Sequence, residues 1–173
     1  TVQGPDAEAF LSHVGINSFA GFGTDRAKHF VPVTPSGHVI GDHIIFRERA
    51  DKFILVGRAP VSNWLQFCAA WGKWNVRIKH DPRSTSRPEG ERVLRTHYRY
   101  QIQGPDAPKI FEKMNGGAIP DIKFFHVDWI NIGSTDPVEA AARVKCSENI
   151  LLVVADARRP ITCTKPHAVQ KSC

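Results

Sequence analysis

Arg58 is the side chain of this sequence whose setting most resembles a binding group. It follows the apolar run Phe53-Ile54-Leu55-Val56-Gly57 and precedes a helix-like stretch, which puts its guanidinium at a strand end beside a helix N-terminus. A guanidinium there can grip a carboxylate through two parallel N–H···O bonds, and the free N–H groups of the helix favour the same charge. Without further support, a lone arginine serves as a solvated or ion-paired surface group. Asp42, in Gly41-Asp42, reads from its surroundings as a carboxylate that organises a strand or turn. His38 and His43 flank it, but His-x4-His on strands lacks metal-ligand geometry, so structural roles are expected for both and no metal is assigned. The four cysteines, Cys68, Cys146, Cys163 and Cys173, show no CxxC spacing, and three of them fall in the last 30 residues. Neither a zinc site nor a disulfide framework is expected, and a reducing compartment fits best.

The elements that must position Arg58 and Asp42 read mostly as β-structure. Phe30-Val31-Pro32-Val33 and Val39-Ile40 flank a Pro35-Ser36-Gly37 turn, and Ile44-Ile45-Phe46 and Phe53-Ile54-Leu55-Val56 flank the charged stretch from Arg47 to Lys52. Two successive hairpins follow from that pattern. A helix is expected next, with Ser62 or Asn63 as its cap, Gly72 as its stop, and Trp64, Phe67, Cys68 and Trp71 on one core-facing side. Residues 81 to 93 are polar and proline-containing and read as an exposed loop or linker, after which Tyr98, Tyr100 and Ile102 alternate as a half-buried strand.

An internal repeat organises the chain. Val2-Gln3-Gly4-Pro5-Asp6-Ala7 recurs as Ile102-Gln103-Gly104-Pro105-Asp106-Ala107, five identities in six at a displacement of 100 residues. Ala7, Phe10, Leu11 and Val14 follow the first copy at helical spacing, and Ala107, Ile110, Phe111 and Met114 follow the second in the same frame. Each copy is a strand, a tight turn permitted by glycine, and a helix begun by proline and aspartate, ended by Gly15 or by Asn115-Gly116. Duplication of one unit is the expected origin. The fold class is therefore α+β, antiparallel sheets with packed helices in two similar strand-turn-helix lobes, at about residues 1–80 and 94–132.

At 173 residues and 42% hydrophobic content the chain can bury a core, and no apolar run reaches the length of a membrane span. The formal charge of +6 comes largely from residues 77–99, with seven Lys/Arg against three Asp/Glu, and 143–173, with six against two. These basic residues lack aromatic interleaving or a nucleic-acid module, so a solvated face is favoured over nucleic-acid binding. A soluble intracellular protein is expected, cytoplasmic before mitochondrial.

Several blocks in one order, Ile16-Asn17-Ser18, Ala27-Lys28-His29-Phe30-Val31-Pro32-Val33-Thr34, Gly37-His38-Val39-Ile40-Gly41-Asp42, Val56-Gly57-Arg58-Ala59-Pro60, Asn63-Trp64 and Tyr100-Gln101-Ile102-Gln103-Gly104-Pro105, resemble the vanillate- and syringate-type O-demethylases. These belong to the superfamily of the glycine-cleavage aminomethyltransferase. The likeness covers residues 1–132, read as a partial folate-binding domain; 133–173 reads as a divergent C-terminal tail in which Ile150-Leu151-Leu152-Val153-Val154 can form a strand.

The resemblance implies methyl transfer from an aromatic methyl ether carrying a carboxylate to tetrahydrofolate. It assigns Arg58 to the substrate carboxylate, where the glycine-cleavage branch usually carries Asn, and Asp42 to the cofactor, as the survivor of a paired-carboxylate turn. The family's later glutamate, which holds the pterin, and its tyrosine, assigned to methyl transfer, have no counterpart here. No catalytic residue is therefore assigned and an incomplete chain is expected. The alternatives are a glycine-cleavage aminomethyltransferase and a non-catalytic folate or aromatic-acid binding module.

Overall fold

The computed structural model describes residues 1–24, 26–81, 97–130, 142–147 and 150–156. The elements run β1 (Val2–Gln3), α1 (Ala7–Val14), β2 (Ala27–Phe30), β3 (His43–Arg49), β4 (Lys52–Gly57), α2 (Ala59–Trp71), β5 (Arg77–Ile78), β6 (His97–Gln103), α3 (Ala107–Asn115), β7 (Val127–Trp129), β8 (Ala142–Ser147) and β9 (Ile150–Asp156). Among the described residues these strands form two antiparallel sheets, ordered β2-β3-β4-β1-β5 and β6-β9-β8-β7, so the α+β class read from the pattern is the class observed. Among the described residues no helix is long and apolar enough to cross a membrane.

The repeated hexapeptide folds twice in the same way. Gly4 and Gly104 adopt φ of +145° and +125°, a region closed to side chains with a Cβ. In both copies the amide of the alanine returns to the glycine carbonyl at 3.0 Å, Ala7 to Gly4 and Ala107 to Gly104. The duplication extends through both sheets. Val2 faces Phe53 and Gln3 faces Lys52, as Ile102 faces Leu151 and Gln103 faces Ile150. Ala27, Lys28 and His29 face Phe46, Ile45 and Ile44, as Val127, Asp128 and Trp129 face Val144, Arg143 and Ala142. Even the irregularity between Arg47 and Arg49 recurs between Lys145 and Ser147. Strands β8 and β9 lie beyond Ile132, in the stretch read from the sequence as a divergent tail, and they supply the two inner strands of the second sheet.

The main core lies in the first unit, where α1 places Ala7, Phe10, Leu11 and Val14 against Phe30, Ile45, Phe53, Val61 and Leu65. Burial of such side chains, about 1.5–3 kcal/mol each, is what holds short strands like β1 in place. Arg47 pins the hairpin to its surroundings: it donates to the Glu8 carboxylate at 2.6 Å and the Phe22 carbonyl at 2.6 Å, and its guanidinium stacks over Phe53. Of the linker read at 81–93, all but Asp81 lies outside the described residues.

Helix α2 departs from expectation twice. It starts at Ala59, with Arg58 as the flanking residue, rather than at Ser62 or Asn63, because Pro60 already carries the backbone angle of a first helical turn. Its buried residues are Val61 and Leu65, which turns Phe67 and Trp71 outward at 51% and 80% exposure. Of the face expected in the core, Trp64 and Cys68 pack against it partly buried, while Phe67 stacks on Trp64 at 5.5 Å and on the outward Trp71 at 5.8 Å.

Candidate functional site

Strands β3 and β4 form a hairpin whose open end is the pair His43 and Gly57. Asp42 stands one residue before His43 and Arg58 one residue after Gly57, so the hairpin carries both sequence-predicted site residues to the same end of the sheet. The reason for the pairing is local. A Cβ on Gly57 would sit 1.8 Å from Cδ2 of His43, so only glycine lets the imidazole lie across the neighbouring strand. The ring is 2% exposed, and its Nε2 lies 2.8 Å from the carbonyl oxygen of Arg58. With Nε2–H donating there, Nδ1 carries the lone pair and has no hydrogen-bond partner among the described residues. Burial pushes the His43 pKa below its ordinary value, opposed in part by the Arg58 carbonyl and by Asp42.

Arg58 takes an extended backbone, φ −90° and ψ 156°, at the entrance of α2. The first turn of that helix holds no acidic residue, so its N-terminal N–H groups meet no carboxylate of their own helix. The Arg58 side chain is exposed, and none of the ion pairs formed among the described residues involves it. Among the described residues the surface-ion-pair reading of Arg58 therefore finds no partner. Gly41 brings the segment before β3 close to α2, where a Cβ would lie 2.8 Å from Val61.

Asp42 is paired. Its Oδ1 lies 2.9 Å from Nδ1 of His29, with both side chains more than half exposed. His29 reaches it because β2 runs beside β3, with His29 opposite Ile44. The other side of the His29 ring meets Phe125 edge-on at 5.4 Å. Phe125 holds a left-handed backbone, φ 54°, and its carbonyl accepts the amide of Ala27 at 2.9 Å, which fixes the 122–127 segment against β2. Such a conformation is strained for an aromatic residue and persists where neighbours over-determine it.

The two flanking histidines are thus structural in different ways. His38 bonds Ser36 within its turn at 2.9 Å, and His43 supports Arg58. His29 and Phe125 were not singled out by sequence reasoning. Nothing in the spacing gives them: His29 reaches Asp42 across a gap of 13 residues through strand pairing, and Phe125 comes from the far unit. Burial also raises the pKa of the Cys68 thiol, which keeps it protonated and poorly nucleophilic.

What this arrangement can do is hold an anion: a guanidinium unpaired among the described residues, a helix N-terminus and, at the same end of the sheet, a carboxylate oriented by imidazole. No family model matches the chain. The fold is that of the aminomethyltransferases: the glycine cleavage system aminomethyltransferase T of Bartonella henselae superposes with a TM-score of 0.65 at 16% identity, over 91% of this chain and 39% of that one. Within that fold the chain is a homologue of syringate O-demethylase of Sphingobium sp., 50% identical over 131 residues, 76% of this chain and 28% of the relative. The aminomethyltransferase of Streptomyces avermitilis is 21% identical over 129 residues, 72% of this chain and 31% of its own length. Sesamin methylene transferase of Sinomonas sp. is 25% identical over 123 residues, 71% of this chain and 24% of that relative. The chain thus spans about a quarter to a third of the curated relatives it matches.

Proposed function

We propose that this chain forms the carboxylate-binding part of a tetrahydrofolate-dependent aromatic O-demethylase. The observation that carries the reading is Arg58, an exposed guanidinium without an ion-pair partner among the described residues, set at the mouth of α2 in a chain 50% identical to syringate O-demethylase. The lower identity to the aminomethyltransferase, 21%, favours the demethylase branch over glycine cleavage.

An aryl methyl ether gives up its methyl group reluctantly because the leaving group is a phenolate. The enzyme must hold the ether oxygen and the accepting nitrogen in line and supply a proton. In this reading Arg58 anchors the ring through its carboxylate, at a position fixed by the buried His43 beneath its backbone. Asp42 keeps Oδ2 without a hydrogen-bond partner among the described residues, so it suits an N–H donor of the folate heterocycle. Tetrahydrofolate, when bound, supplies the nitrogen that accepts the methyl group.

The test is a chimera in which the matched 131 residues of the Sphingobium enzyme are replaced by those of this chain. Tetrahydrofolate-dependent demethylation of a methoxylated aromatic acid is expected, and Arg58→Ala should lower kcat/KM by about tenfold to a hundredfold, as loss of a charged hydrogen-bond pair does. A folded chimera that binds tetrahydrofolate yet demethylates none of these acids would refute the reading.

A further inference from the structure

The register of β2, β3 and β4 sorts the residues at the open end of the hairpin onto two faces, since paired residues across a sheet share a face and neighbours along a strand alternate. Phe30, His43 and Gly57 form one row, with Phe30 and His43 buried on the side of the main core. His29, Ile44 and Val56 form the next row, on the opposite face. Asp42 stands two residues before Ile44 and shares that face, as its contact with His29 shows. Arg58 stands two residues after Val56 with an extended backbone, so its side chain leaves on the same face. The floor between them is apolar, with Ile44 and Val56 packed beside Phe125 in the cluster around Ala27 and Phe46. Two strand spacings across, about 10 Å, and two residues along, about 7 Å, set the Cα atoms of His29 and Arg58 roughly 12 Å apart, a span that two side chains and one benzoic-acid ring fill.

Asp42 decides which nitrogen of His29 can do chemistry. A carboxylate only accepts, so Nδ1 donates its N–H to Oδ1 at 2.9 Å, and Nε2 holds a lone pair when the ring is neutral and a proton when it is charged. The His29 side chain is 53% exposed, so that proton exchanges with solvent. The stretch around Phe125 carries Lys123, His126 and Asp128, with Nδ1 of His126 turned to the Phe124 carbonyl, and Lys28 reaches the Ser18 carbonyl. Among the described residues Asp42 is the charged group in contact with the ring. We infer that His29 is the catalytic acid of the aromatic O-demethylase reading, on which the inference rests, with Nε2 set at the ring oxygen of an acid held by Arg58. As the ether C–O bond breaks with its electron pair on oxygen, the Nε2 proton passes to that oxygen and forms the phenol. The methyl group goes to the acceptor nitrogen of tetrahydrofolate with release of that nitrogen's proton to solvent, and the neutral imidazole regains a proton from solvent.

The test needs binding alone: calorimetric titration of the 173-residue chain with meta-methoxybenzoate and with benzoate, from about pH 8 to about pH 5, the window in which imidazole takes up its charge. Benzoate has the carboxylate for Arg58 but no ring oxygen, so the ratio of the two affinities isolates His29. An ether oxygen only accepts, and Nε2 donates to it only in the charged ring, so the ratio should rise about three- to tenfold towards the acid end. His29→Leu should abolish the rise, and His29→Gln, which keeps an N–H donor that does not titrate, should give a preference for the methoxy acid that is independent of pH. A ratio that stays flat in the native chain, or that rises equally in His29→Leu, would overturn the inference while benzoate binding through Arg58 leaves the O-demethylase reading standing. No binding of either acid would overturn both.

Discussion

Nε2 of the buried His43 lies 2.8 Å from the carbonyl oxygen of Arg58, so the backbone that presents the guanidinium rests on an imidazole closed off from solvent. That ring is held neutral, its pKa below the ordinary 6.5 because burial disfavours the charged form. In the unfolded chain it titrates normally. As pH falls below about 6.5 the unfolded state binds the proton first, so folding stability is full above that value and declines beneath it. The decline ends once His43 protonates in the fold as well. Urea unfolding at a series of pH values should show this fall in the native chain and a shallower one in His43→Gln. Parallel profiles would place the pH dependence elsewhere.

Gly57 should tolerate no side chain. A Cβ 1.8 Å from the imidazole carbon must displace His43 or open the hairpin, and overpacking of this kind costs about 3 kcal/mol or more. Gly57→Ala should therefore lower the denaturant midpoint, and it should weaken aromatic-acid binding even in the fraction that remains folded. Retained stability with retained binding would mean that His43 does not set the position of Arg58.

The His29–Asp42 pair is solvent-exposed on both sides, so it adds little to stability. Asp42→Asn should change unfolding free energy by no more than about 0.5 kcal/mol. The same variant should weaken tetrahydrofolate binding measurably by fluorescence or calorimetry. A large loss of stability with unchanged binding would make Asp42 a turn-organising residue.

The matched glycines of the two units offer an internal comparison. Both sit at positive φ, so alanine is strained at either, but only Gly4 also has a backbone carbonyl against it among the described residues. Gly4→Ala should destabilise by more than Gly104→Ala, which should cost about 1–2 kcal/mol. Equal losses in thermal unfolding would contradict the difference in packing between the units.

Much of this was legible in the sequence because it is local. The Gly-Pro-Asp-Ala turns, both helical frames and the β3–β4 hairpin follow from residue spacing, and Arg58 and Asp42 emerge at one sheet end because a hairpin joins their strands. The inward face of α2 was misjudged because aromatic content outweighed phase: Val61 and Leu65 meet the core, and the larger rings of Phe67 and Trp71 do not. His29 and Phe125 stayed invisible because their contacts depend on strand pairing and on a left-handed phenylalanine that no spacing announces. The extent of the second unit was hidden too, since β8 and β9 share its register with little of its sequence.

Calorimetric titration of this chain with a methoxylated aromatic carboxylic acid, alongside Arg58→Ala, bears most directly on the proposed role. Saturable binding that weakens about tenfold to a hundredfold in the variant is the predicted result, the loss expected when a carboxylate forfeits a charged partner. Equal affinity in the two proteins, or no binding by either, would contradict it.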